Sequence, residues 1–87
     1  MADRRYHTIA GALAEAIAFG RTMDGALAHL RRQEEKYARW AMESQSQENQ
    51  KAFLERSIAY RSAASLLACY ADIARAEAAA LQEVAHA

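Results

Sequence analysis

Residues 26–87 contain neither glycine nor proline, and the second half of this stretch carries one unbroken apolar stripe. Phe53, Ser57, Tyr60, Ala64, Leu67, Ala71, Ala74, Ala78, Leu81 and Ala85 follow one another at alternating spacings of four and three. That spacing places all of them on one face of an α-helix. Only Ser57 in the series is polar, so the face requires something to pack against. A helix over residues 48–85 is predicted, about 57 Å long at 1.5 Å per residue. A flanking row of Ala59, Ala63, Leu66, Tyr70, Ile73 and Val84 widens its apolar side beyond a bare coiled-coil seam.

The upstream half reads as two helices, about 4–19 and 23–44. Tyr6, Ile9, Leu13 and Ala16/Ile17 share one side of the first. Met23, Leu27, Leu30, Tyr37 and Trp40/Ala41 share one side of the second. Between them, Gly20 to Gly25 is the strongest breaker in the chain: Gly20 suits a helix C′ position, and Thr22 or Asp24 the next N-cap. The eight-residue polar run Glu43–Gln50 marks a second break, where Ser44 and Gln47 have capping-box spacing. Extending the 53–85 stripe backward lands on Ser46, Arg39, Arg32 and Gly25. The apolar residues of the second helix lie elsewhere, so the chain turns or re-phases at 44–49. A competing pattern exists. Tyr6, Ile9, Leu13, Ala16, Gly20, Met23, Leu27, Leu30, Glu34, Tyr37, Ala41 and Ser44 run 3-4-3-4 without interruption, which would make residues 4–44 one helix. Two interior glycines oppose this at about 1 kcal/mol each relative to alanine. The expected fold is all-α: a small antiparallel bundle in a single domain, of three helices or a long two-helix hairpin.

Alanine supplies 23 of the 87 residues, and only 22 positions hold a large apolar or aromatic side chain. Alanine forms helix readily but has little area to bury. A chain of this size and composition makes a thin core, which association commonly thickens. The expectation is a homodimer with a four- or six-helix core, its interface formed by Phe53, Tyr60, Leu66, Leu67, Tyr70, Ile73 and Leu81.

Eleven basic and eleven acidic residues cancel, so no charge excess marks a nucleic-acid or membrane surface. Arg4, Arg5, the run Ile9–Ala14 and Ala14-Glu15-Ala16 mimic a signal peptide, but Asp3 and Glu15 interrupt the pattern. No apolar run approaches the ~20 residues of a membrane span. The lone Cys69 fits a reducing compartment, and the expected location is cytoplasmic. High alanine and arginine content points to a GC-rich bacterial or phage genome.

No pattern in the chain calls for catalysis, a metal or a cofactor. Glu83 and His86 have Glu-x-x-His spacing, but di-metal bundles need two such pairs and two further glutamates. His7 and His29 lie near no second ligand in sequence and read as surface or boundary residues. Cys69 lacks a neighbouring base to activate it and reads as a small packing residue. Gly-x-Ser-x-Gly and glycine-rich phosphate loops are absent from the sequence, and an enzyme is not expected.

The remaining feature is Arg31, Arg32, Lys36 and Arg39 interleaved with Tyr37 and Trp40. Such a segment can hold phosphates and stack bases. Glu34 and Glu35 dilute its charge, and Glu35 has the i, i+4 spacing to pair with Arg39. Arg and Trp also favour protein interfaces. Arg31, Arg32, Lys36, Arg39 and Trp40 are therefore assigned to a larger protein partner, with the chain acting as a small inhibitor or regulator. Nucleic-acid binding through the same segment ranks second, and a metal or redox bundle third.

Overall fold

In a computed structural model, which describes residues 8–86, the chain folds as three helices. These are α1 (Ile9–Gly20), α2 (Met23–Glu43) and α3 (Gln47–His86). Tyr6 and His7, and the proposed start of the first helix at residue 4, lie outside the described residues, as does the side chain of His86. Among the described residues there is no strand. The longest dimension, 62 Å, is that of α3 itself, about 60 Å at 1.5 Å per residue.

Each start has a side-chain cap. Thr8 Oγ1 accepts from the Gly11 amide at 3.0 Å, Thr22 Oγ1 from Gly25 at 3.0 Å, and Ser46 Oγ from Asn49 at 3.3 Å. The α3 cap is thus Ser46, whereas Ser44 closes α2: its amide donates to the Trp40 carbonyl at 3.0 Å. Gln50 reaches back to donate to the Ser44 carbonyl at 2.9 Å. The turn falls at 44–46 because these two serines and Gln50 satisfy the backbone groups that both helix ends leave open.

The break at residues 21–22 separates α1 from α2, so the three-helix reading holds over the single long helix. Its chemistry differs from the sequence expectation. Gly20 is the last helical residue, and Arg21 takes the positive φ, 62°. Thr22 N–H donates to the Gly20 carbonyl at 2.6 Å around Arg21, a tight γ-type turn of a kind that is strained for an L-residue. Glycine is needed at 20 and 25 for room: a Cβ on Gly20 would run into the Gly25–Ala26 backbone, and one on Gly25 into the Gly20 carbonyl.

α3 packs on both shorter helices, and α1 on α2. Asp24 faces Arg75, Glu34 faces Ser57, and Trp40 faces Phe53. Residue numbers therefore rise along α2 as they fall along α3. The core is a cluster of Ala12 and Ala16 from α1, Ala26 and Leu30 from α2, and Tyr60, Ala63 and Ala64 from α3. Tyr60 and Leu30 are its largest fully buried side chains. Small residues at the crossings let the helix backbones approach closely.

Candidate interaction surface

Half of the α3 stripe is consumed inside the chain. Tyr60 is 1% exposed and Ala64 and Ala71 are buried, while Phe53 and Leu67 are half-buried. Ser57, the polar member, donates its hydroxyl to the Glu34 carbonyl of α2 at 3.1 Å, which allows it to be buried. Tyr37 stacks on Tyr60 with ring centroids 5.7 Å apart and planes 4° from parallel. Phe53 lies 6.2 Å from Tyr37, and Trp40 meets Phe53 edge-on at 5.7 Å. This aromatic ladder is what α2 offers the first half of α3, and it removes Tyr60 from any surface.

The other residues assigned to self-association remain outside. Leu66, Tyr70 (63% exposed), Ile73 and Leu81 (70%) are exposed, and Val84 joins them. With Glu77 they fall at spacings of 4-3-4-4-3 along one side of α3; Leu66, Tyr70, Ile73 and Val84 come from the flanking row of the sequence pattern and Leu81 from the stripe. Ile17 of α1, also exposed, borders this row where it lines a groove of about 280 Å³ with Leu67 and Tyr70. A second groove of about 460 Å³ runs beside Met23, Ala71, Ala74 and Ala78. Exposed large apolar side chains recur along this side of α3, interrupted by Glu77, more densely than the scattered ones of an ordinary surface.

The basic segment of α2 divides in two. Lys36 Nζ lies 4.8 Å from the Tyr37 ring centroid and 5.1 Å from that of Trp40, so it covers the aromatic ladder. Arg56 of α3 covers Tyr37 from another side, 5.4 Å from its centroid. These are cation–π contacts. They leave Trp40 partly exposed and Lys36 half-buried. Arg31, Arg32 and Arg39 are exposed. Among the described residues none of these three forms an ion pair, and the Glu35–Arg39 pair is not made. The three arginines are exposed on α2 with the exposed Glu35 among them.

One cluster was not foreseen. Glu15 of α1, His29 of α2 and Tyr60 of α3 converge. The Tyr60 hydroxyl donates to Glu15 Oε2, and His29 Nε2 lies 3.5 Å from the same oxygen. His29 stacks on Phe19, centroids 5.4 Å apart. Burial and the neighbouring Glu15 carboxylate push the Tyr60 hydroxyl far above the usual tyrosine range. The sequence signal was Glu15 itself, a lone carboxylate among alanines and large aliphatics in α1.

Cys69 is exposed. Among the described residues no group of three or more His, Cys, Asp or Glu side chains is placed to hold a metal ion, and no helix is long and apolar enough to cross a membrane. No family model, curated protein or solved structure matches this chain.

Proposed function

We propose that this chain is a non-enzymatic helical interaction module, an antiparallel bundle that self-associates as a homodimer and regulates a larger protein by occupying part of its surface. The observation that carries the reading is the exposed row Leu66, Tyr70, Ile73, Leu81 and Val84. Those side chains give up little by leaving water and gain by mutual burial, at about 25 cal/mol per Å² of apolar area. A stable interface covers about 800 Å² per partner, a size that an α3 row bordered by Ile17 suits. The basic face of Arg31, Arg32 and Arg39 is assigned to the regulated protein, whose complementary surface is acidic. Placement in the cytoplasm accords with the exposed, unpaired Cys69.

Sedimentation or light scattering at tens of micromolar tests the first part. A dimer is expected, and Ile73→Glu should yield a folded monomer because Ile73 is exposed and lies outside the buried core cluster. A wild-type monomer across that range would sink the dimer. Affinity capture with Arg39→Glu tests the second part: capture should fail with helicity and dimer intact. The three unpaired arginines also favour a second reading, in which the face holds a nucleic-acid backbone. A salt-sensitive mobility shift of a duplex or single strand, lost in Arg32→Glu, would promote it.

A further inference from the structure

We infer that α1 has a second seat: the hinge at Gly20–Thr22 can straighten, so that α1 and α2 become one helix and α1 lies along the overhanging end of α3. This deepens the dimer reading and rests on it for one of its two steps. Four observations on different parts of the molecule converge here. The first is the hinge, where Arg21, not a glycine, occupies φ 62° in a tight turn. A short, strained connection between packed elements favours exchange of one of them. Grooves of about 280 and 460 Å³ both reach the hinge, at Thr22 and Met23.

The second observation is register. Ile9, Leu13, Ala16, Gly20, Met23, Leu27 and Leu30 keep an unbroken 4-3 spacing through the bend. A straightened helix therefore presents one continuous face. The third is fit. Beyond Arg75, which pairs with Asp24 in the first turn of α2, lie residues 76–86, about 16 Å of helix, against about 18 Å for α1. Along that overhang the apolar stripe continues through Ala78, Leu81 and Ala85, all exposed. The larger groove, beside Ala71, Ala74 and Ala78, opens where a straightened α1 would begin its course.

The fourth is how small the buried face of α1 is. Its fully buried side chains are two alanines, Ala12 and Ala16; Leu13 is partly buried against the core, Phe19 stacks on His29, and Glu15 contacts Tyr60 and His29. Ile17 and Phe19 are exposed in the bent arrangement. When α1 leaves, Tyr60 and Ala63 lose the cover of Ala12, Ala16 and Glu15, and a second hairpin is the occupant that supplies it. Two hairpins of matched arm length then form a four-helix bundle, the geometry in which such arms bury both faces. The bent chain and the straight hairpin are two packings of one sequence, with the hinge between them.

Distance and substitution separate the two states. Ala10 and Ala85 are exposed, and spin labels at Ala10→Cys and Ala85→Cys, in a Cys69→Ser background, report the hinge. In the bent chain they lie roughly 45 Å apart along α3, and in the straight hairpin within about 15 Å. The expected wild-type result is a long distance in dilute protein and a short-distance population that grows with concentration. Gly20→Ala/Gly25→Ala should drive the straight form. The added Cβ atoms collide with backbone in the bend, but alanine is the better residue inside a continuous helix. That variant should keep its helicity and show the short distance as its main population. Loss of helicity in the double variant, or wild-type labels that stay long at every concentration, overturns the inference. A dimer that forms while the labels stay long overturns the straightening and leaves the dimer standing.

Discussion

Tyr60 of α3 donates its hydroxyl to the Glu15 carboxylate of α1, and the same oxygen faces His29 of α2, so one carboxylate touches all three helices. A hydrogen bond to a charged group contributes about 1.5–3 kcal/mol, and stranding a buried partner costs comparably. Tyr60→Phe and Glu15→Gln should each lower the unfolding free energy by about 1–3 kcal/mol. Tyr60→Phe removes the bond and Glu15→Gln strips its acceptor of charge, so their effects should not add, since both act through the same bond. Chemical denaturation of both single variants and the double variant checks this. Additive losses would show that the bond contributes nothing of its own.

Tyr60 also sets an alkaline limit. A tyrosine in an unfolded chain ionises near pH 10, whereas burial first, and Glu15 second, raise Tyr60 well above that. With the folded value raised, the contribution is complete below about pH 10 and is lost as the pH rises beyond it. The unfolding free energy should therefore begin to fall near pH 10. Tyrosinate absorbance from Tyr60 should arrive together with loss of helicity. In Tyr60→Phe the decline should be shallower.

Arg21 carries the one positive φ among the described non-glycine residues. A left-handed conformation costs an L-residue about 1–2 kcal/mol, and glycine returns about 0.4–1 kcal/mol of that through its looser unfolded chain. Arg21→Gly should stabilise the bent chain by roughly 0.5–1 kcal/mol. Thermal melts in dilute protein should move up by a few degrees. A lower midpoint would mean that the Arg21 side chain holds the turn in some other way.

The breaks and the helix faces were legible in the sequence because they rest on local chemistry. Thr22 caps α2, the serines at 44 and 46 divide α2 from α3, and the 4-3 stripe marks which side of α3 is buried. What periodicity could not tell was what covers that side. Tyr60 and Leu67 sit in the same stripe as Leu81, yet α1 and α2 cover the first two and stop before the third. Coverage depends on where α1 folds back, and that follows from Arg21 and the Gly20–Gly25 contact, features of geometry rather than spacing. The Glu15–His29–Tyr60 cluster was hidden for a related reason, since its members are 14 to 45 residues apart in the chain. Lys36 and Trp40 matched a nucleic-acid pattern by composition, but their rings and charge are engaged with Tyr37 and Phe53.

Leu30 and Leu81 separate the fold from the proposed association. Leu30 is 0% exposed and Leu81 is 70% exposed. Leu30→Ala leaves a cavity among Tyr60, Ala26 and their neighbours and should cost about 2–5 kcal/mol at any protein concentration. Leu81→Ala removes nothing from the chain's own core, so in dilute solution it should stay within about 0.5 kcal/mol of wild type. Where a second copy covers α3, binding adds to the apparent stability by mass action, and the melting midpoint climbs with concentration. Leu81→Ala should flatten that climb while leaving its dilute limit unchanged. Melts across a hundredfold range of concentration decide the matter: parallel curves for wild type and Leu81→Ala would take Leu81 out of the interface.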